Sequence, residues 1–394
     1  MKVDASVTQP FSQSVAAAPA PTLALMHAVH VLAGLGTMLL GPILPLLIAR
    51  WHLLDSQAGL LLMAQFIGAT TGGITVSSKL ARDMLVGMLA AGVGFLAFAL
   101  APSFLLALPA LAVGGFGVGR IIATVNIIGG ARYPANRGVA LARLNFTWSL
   151  GALLSPLLAA WLVSVPLLAR LTVFAALFIV CAGAMTAQLL SPRTPDVMLT
   201  SGASETRFPP RLFLYFAALL FLYGGLETCL SGWLTTYALR YGRTSLVLSE
   251  YTMVLLLCGL TAGRALASWL HTRLRETTLQ RLALVLSAVL AAALAAAREA
   301  SWIAALAVLL GVALAPIFPA TFAIFMGNHP PARTAGIVLA ASGIGAASLP
   351  WLMGVISTRA GSLQIALVLP VAAALALLVL SFLRLRPAPL PVSS

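Results

Sequence analysis

Apolar runs long enough to cross a bilayer follow one another along nearly the whole chain, and no other feature restricts the fold as much. A run of about 18 residues or more spans the hydrocarbon core as a helix. The helix satisfies its own backbone hydrogen bonds where water is absent. Of 394 residues, 61% are hydrophobic and only 8% are charged, with mean hydropathy +1.03. A soluble domain could not hide that much apolar surface, so the expectation is an all-α membrane protein.

Reading the runs and their polar breaks predicts twelve transmembrane helices. The first six cover 22–49, 55–79, 84–101, 103–129, 138–163 and 167–189. The second six cover 211–241, 247–270, 279–297, 300–326, 333–358 and 362–383. The longest polar connection, 191–210, contains SPRTPD and SGASETRFPP and reads as a linker. The predicted organisation is therefore a tail (1–21), a six-helix half (22–190), the linker, a second half (211–384) and a tail (385–394). Residues 1–21 are rich in Ala, Pro and Ser and lack a long apolar core, which reads as a disordered cytoplasmic tail rather than a signal peptide.

The formal charge of +14 does not point to nucleic acid, because the arginines are scattered through short loops. Their distribution instead sets an orientation. With the N-terminus inside, fourteen Lys and Arg residues fall in cytoplasmic segments and six in external ones. The positive-inside rule then puts both termini in the cytoplasm of a multi-pass protein of the cell (inner) membrane. Cys181, Cys229 and Cys258 all fall within spans and form neither a disulfide framework nor a metal spacing. No metal site or cofactor is expected.

The halves echo each other. Gly151-Ala152 with Pro156 in helix five is matched by Gly345-Ala346 with Pro350 in helix eleven, an offset of 194. Gly68 and Gly72 in helix two are matched by Gly259 and Gly263 in helix eight, an offset of 191. These matches predict two six-helix halves related by pseudo-symmetry, with a site midway between them. Taken singly, the glycines read as close helix packing, and Pro42, Pro45, Pro156, Pro316, Pro319 and Pro350 as kinks.

Twelve helices in two halves, with a basic connection after helix two, resemble the major facilitator superfamily. The connection reads GGITVSSKLARD, in which Lys79, Arg82 and Asp83 match that superfamily's motif. Closer likeness is to the branch of fucose:proton symporters and sodium-dependent glucose transporter-like proteins. It is carried by GFGVGRIIATVN (115–126), LNFTWSLGALLSPLL (144–158), FLYGGLETCLSGWLTTYALR (221–240), LAPIFP (314–319) and GIGAASLPWLMG (343–354). The resemblance implies that Asn126, Asn145, Glu227 and Trp233 face a central cavity, and that Lys79, Arg82, Asp83 and Arg137 belong to a cytoplasmic gate. Helix one here lacks the acid that fucose symporters use, and the matching slot of helix four is Ile122.

The polar residues inside the spans are the candidates for function. An ionised carboxylate at the bilayer centre costs about 3 kcal/mol on insertion scales, so Glu227 must face a cavity, pair, or take a proton. Tyr223, Glu227 and Ser231 recur every fourth residue and share a face that Thr235 extends. That face reads either as the lining of a path or as an interhelical tie. Arg120 has three roles open to it: a pair with Glu227, a hold on an anionic substrate, or a tie to helix carbonyls. Gln65, Asn126, Asn145, Trp148 and Trp233 suit sugar recognition or interhelical hydrogen bonds. His27 and His30 share a face that suits packing or gate contacts. Arg143 and Arg264 lie near helix ends, where a long side chain can snorkel.

Together these readings predict a secondary transporter that works by alternating access. Its expected task is symport of a sugar or related polar solute with a cation, a proton ahead of sodium. Glu227 and Arg120 are the coupling candidates. Gln65, Asn126, Asn145, Trp148, Tyr223, Glu227, Ser231 and Trp233 are the substrate-binding ones. The alternatives are proton-coupled efflux of an amphipathic compound, transport of an anionic metabolite, and a membrane solute sensor. No nucleotide-binding motif or catalytic constellation is present, so neither ATP drive nor enzyme activity is expected. The expected partners are a small solute and the lipid bilayer, with the chain as a monomer.

Overall fold

A computed structural model describes residues 18–19, 21–77, 79–132, 137–161, 164–190, 196–197, 208–242, 245–270, 273–326, 328, 330 and 332–383. Most of the expected tails and linker, 1–17, 191–195, 198–207 and 385–394, lies outside these residues, as do the side chains of Arg137 and Asn145.

The first half comprises α1 (Leu23–Thr37), α2 (Leu40–Trp51), α3 (Asp55–Ile74), α4 (Leu80–Leu100), α5 (Phe104–Arg132), α6 (Arg137–Trp161) and α7 (Leu167–Leu189). The second comprises α8 (Pro210–Tyr241), α9 (Leu246–Glu250), α10 (Thr252–Leu270), α11 (Glu276–Ala296), α12 (Ala300–Leu314), α13 (Ile317–Met326), α14 (Ala332–Ala360), α15 (Leu363–Ala366) and α16 (Val368–Phe382). Two short strands, β1 (Ala18–Pro19) and β2 (Asp196–Val197), pair antiparallel beside the start of α1.

Each of the twelve expected spans is one helix or one broken pair. The breaks have local causes. Helices α1 and α2 meet at 45°. Pro42 has no N–H to offer the Met38 carbonyl, and Pro45 sits inside α2. Pro316 interrupts the passage from α12 to α13 in the same way. By length and hydropathy alone, eight helices among the described residues qualify as spans, or nine with the bent pair. Helix α3 misses that threshold because it carries Gln57, Gln65, Thr70 and Thr71.

The packing repeats between halves. In the first, α1 packs on α6, α3 on α5, and α4 on α5 and α7. In the second, α8 packs on α14, α10 on α12, and α11 on α12 and α16. These are the same span pairs, six positions apart. The matched glycines sit at the matched contacts. A methyl group on Gly151 would overlap the Val31 carbonyl oxygen of α1, and one on Gly345 would overlap the Phe221 carbonyl oxygen of α8. The halves meet through α3 with α14, α6 with α10, and α2 with α8.

Candidate functional site between the halves

The bundle has two ends. The near end holds the start of α1 and the finish of α16; the far end holds the finish of α2 and the start of α3. At the far end the halves are joined. Asp55, in the first turn of α3, accepts two hydrogen bonds from the Arg240 guanidinium of α8, both 2.6 Å. The Ser357 hydroxyl of α14 donates to the same carboxylate. The Ser56 backbone N–H donates to Thr358 Oγ1 at 2.8 Å. Backbones also touch there: a methyl on Gly59 would meet the Trp351 backbone, and one on Gly41 would overlap the Ser231 carbonyl oxygen.

Below this closure lies a cleft between α1, α6 and α10. It is lined by Met38, Trp148, Ser149, Leu257, Thr261 and Arg264, among others. Arg264 Nη1 donates to Ser149 Oγ at 2.8 Å, which joins the halves a second time. Trp148 presents an indole N–H that is buried and has no hydrogen-bond partner. On α8, Glu227 follows Tyr223 by about one turn, and the charges of both Glu227 and Arg264 act on the Tyr223 hydroxyl. The Tyr223 ring is held against Phe318 with centroids 5.8 Å apart. Tyr223, Glu227 and Arg264 therefore form one polar cluster within the second half, and Arg264 carries it across to Ser149.

The other expected site residues divide differently. Gln65 donates its amide to the carbonyl oxygens of Gly36 and Thr37, at 3.0 and 3.1 Å, and is 2% exposed. Trp233 donates to the Pro350 carbonyl oxygen at 3.0 Å and is 1% exposed. Asn126 Nδ2 donates to the Ile122 carbonyl oxygen of its own helix. Ser231 and Thr235 are buried where α8 meets the first half at the far end. In this conformation the amide N–H groups of Gln65 and Asn126 and the Trp233 indole are thus spent on backbone.

Arg120 does not meet Glu227. It pairs with Asp83 of α4 and donates to Thr75 Oγ1 at 3.0 Å. Asp83 also accepts from the Ser77 backbone N–H at 2.6 Å and the Ser77 hydroxyl at 2.8 Å. This places Arg120 with the expected gate residues at the α3–α4 turn, all within the first half. Lys79 and Arg82 are exposed beside it. The nearest counter-charge decided the pairing: Asp83 packs one helix away, and Glu227 belongs to the other half. His27 Nδ1 lies 3.2 Å from Thr147 Oγ1. His30 is fully buried, and neither ring nitrogen has a partner.

Sequence reading missed Arg264, which it placed at the helix end. A usable signal was there. Leu257, Leu260, Thr261 and Arg264 fall at helical spacing on one face of α10, and two of the four are polar.

The family model described as Major Facilitator Superfamily matches residues 26–335. No curated protein matches the chain significantly. Among solved structures, the chain is similar to a bacterial homologue of the human lysosomal transporter Spinster, inward-facing and occupied. The TM-score is 0.74 at 15% identity, covering 91% of this chain and 95% of that one. It is also similar to the E. coli fucose:proton symporter, with TM-score 0.64 at 17% identity, covering 91% and 97%. A third is the nucleoside transporter NupG, with TM-score 0.72 at 12% identity, covering 90% and 98%. The family match spans well over half of the residues and agrees with the paired six-helix architecture: the chain belongs to the major facilitator superfamily and is a secondary transporter, not an enzyme.

Proposed function

We propose that the chain carries a small polar solute across the membrane by alternating access, driven by a cation, with a proton ahead of sodium. The observation that carries this is Glu227, a carboxylate within a span whose charge acts with that of Arg264 on the Tyr223 hydroxyl. An ionised carboxylate there opposes closure of the cleft to the extent that Arg264, in the same cluster, leaves its charge uncompensated. Protonation removes the charge. Occupancy by a proton and movement of the halves are then linked, which is what symport requires. The halves are joined at the far end, and the charge bias of the loops supports a cytoplasmic near end.

The sequence resemblance to fucose symporters supports a sugar as the solute, and Trp148 offers an aromatic face for its C–H side. Arg264 in the same cleft favours a second reading, an anionic solute.

Glu227→Gln imitates the protonated form. Expected in proteoliposomes is solute exchange at close to the wild-type rate, with gradient-driven accumulation lost. Accumulation driven by a proton gradient in the mutant at wild-type level would defeat the assignment. Loss of both exchange and folding would make Glu227 a structural tie.

A further inference from the structure

We infer that the outer face of the second half binds one anionic phospholipid of the near-end leaflet, with an acyl chain in an apolar groove between α10 and α11 and its phosphate at Arg275.

The groove arises where the second half departs from the internal repeat. Gly68 and Gly72 of α3 pack on Ala112 and Phe116 of α5, and Gly259 and Gly263 of α10 pack on Val308 and Val312 of α12. From Ala112 to Val308 and from Phe116 to Val312 the step is 196 residues. The same step carries Gly117 to Ala313 and Arg120 to Pro316. Gly117 lets α4 seat directly on α5, because a methyl group there would overlap the Gly87 carbonyl oxygen and the Ala91 backbone nitrogen. Arg120 then ties α5 to α4 through Asp83. In the second half Ala313 carries that methyl group, and Pro316 cannot make the tie. Helix α11 also has no glycine. It packs less closely on α12 and α13 than α4 does on α5. A groove of about 280 Å³ is left, floored by α12 and walled by α10 and α11, with Ala313 and Pro316 in its lining.

The groove opens to the outside of the bundle. Leu266 and Leu270 lie on the face of α10 opposite Leu257, Thr261 and Arg264, which line the cleft between the halves. Its rim residues Leu266, Leu282, Leu286 and Leu309 are exposed, whereas Leu279 and Ala283 are buried. Every lining residue is apolar. From Leu279 to Leu290 the α11 wall is about 16 Å long at about 1.5 Å per residue. That is close to half of the hydrocarbon core of about 30 Å, so the groove has the length of one leaflet and begins in the first turn of α11. At that end lies the connection from α10 to α11, in which Arg273 and Arg275 are exposed, with Glu276 beside them. Two arginines against one acid favour an anion, and a guanidinium fork matches a phosphate. Basic side chains at this depth meet the headgroups of anionic lipids. A chain-shaped apolar groove that ends at a basic mouth thus matches both parts of one phospholipid.

The test uses the full chain, purified in detergent and freed of lipid. Three probes are added in mixed micelles. They are dioleoyl phosphatidylglycerol, the phosphatidylcholine with the same chains, whose choline cancels the phosphate charge, and glycerol phosphate, which has no chain. A ligand that binds only the folded state raises the thermal midpoint saturably. Phosphatidylglycerol should raise it by several degrees, phosphatidylcholine by less than half as much, and glycerol phosphate not at all. Arg275→Gln should bring the phosphatidylglycerol rise down to the phosphatidylcholine value. Ala283→Phe fills the groove and should remove both rises; Leu286→Trp, at the exposed rim, serves if that variant does not fold. A phosphatidylglycerol with a diazirine in one chain should crosslink to α11 and α12 at the groove, and that labelling should be lost in the filled variant. A rise that survives filling of the groove, or labelling spread evenly over the outer helices, would be ordinary solvation by lipid and overturns the site. No rise with any probe overturns it as well. Equal rises from the two phospholipids overturn the assignment of the phosphate to Arg275, and an equal rise from glycerol phosphate overturns that of the chain to the groove.

Discussion

Arg120 and Asp83 show how a charge within a span is held. The Arg120 side chain is 12% exposed and that of Asp83 is 4% exposed. Asp83 also lies in the first turn of α4, where the helix dipole favours a negative charge. Breaking a buried pair by removing one partner leaves the other uncompensated and costs about 3–5 kcal/mol, whereas removing both is far cheaper. Arg120→Gln and Asp83→Asn should each lower the thermal midpoint of the detergent-purified protein by several degrees. The double mutant should recover most of the loss. Equal midpoints for single and double mutants would show that the two groups are independent. Of the candidate site, Trp148 and the Tyr223–Glu227 face were legible at this scale, and the reason for the remainder is specific. Helical spacing put Tyr223 and Glu227 on one face, and the Glu227 charge acts on the Tyr223 hydroxyl. Spacing could not say which neighbour a polar face turns to. Gln65 and Trp233 met the same sequence criteria as Tyr223, but their donors end on the carbonyls of packed helices. Arg264 lies two turns from a helix end, where snorkelling satisfies the charge equally well on paper. Only the approach of α6 to α10 reveals Ser149 as its partner.

Elements rather than single side chains close the far end. Helix α3 begins there with Asp55, α8 ends there with Arg240, and the last turn of α14 supplies Ser357 and Thr358. The three helices come from both halves, so their contacts must break for the cleft to open on that side. Asp55 is the shared acceptor, and its carboxylate is 10% exposed, against 36% for the Arg240 side chain. Asp55→Asn removes the ion pair and should shift the population towards opening at the far end. Spin labels at Leu54 and Arg359, both exposed near the latch, would report it as a longer-distance population. Asp55→Arg combined with Arg240→Asp restores opposite charges and should return the short distance. An unchanged distance distribution in Asp55→Asn would mean that the helix packing, not the ion pair, keeps the far end shut. The broken helices belong at this scale too. The prolines of α2 and at the α12–α13 break were visible in the sequence, but the breaks before α10 and α16 carry no proline at the break itself.

Across the whole molecule, the lipid environment made the architecture legible. Where every backbone group must bond within its own helix, span length is fixed by the hydrocarbon thickness and each crossing is written as an apolar run. The internal repeat was written as glycines, and it returns as matched contacts: Gly68 against Ala112 in one half and Gly259 against Val308 in the other. Which side of the membrane each end occupies is not fixed by packing at all. It is set by charge, and the bias of fourteen basic residues against six is the ground on which we propose a cytoplasmic near end. That assignment decides what the cleft means, since with the far end outside, halves joined at the far end make this an inward-facing conformation. It can be tested on cells with two single-cysteine variants. Cys181, Cys229 and Cys258 must first be replaced, because Cys258 is exposed. A cysteine at Ser201, in the linker, should then resist a membrane-impermeant maleimide in intact cells and react after permeabilisation. One at Arg359, exposed at the far end, should react in intact cells. Reaction of the first and protection of the second would turn the molecule over. The latch of Asp55 and Arg240 would then face the cytoplasm, and the conformation described would be an outward-facing one.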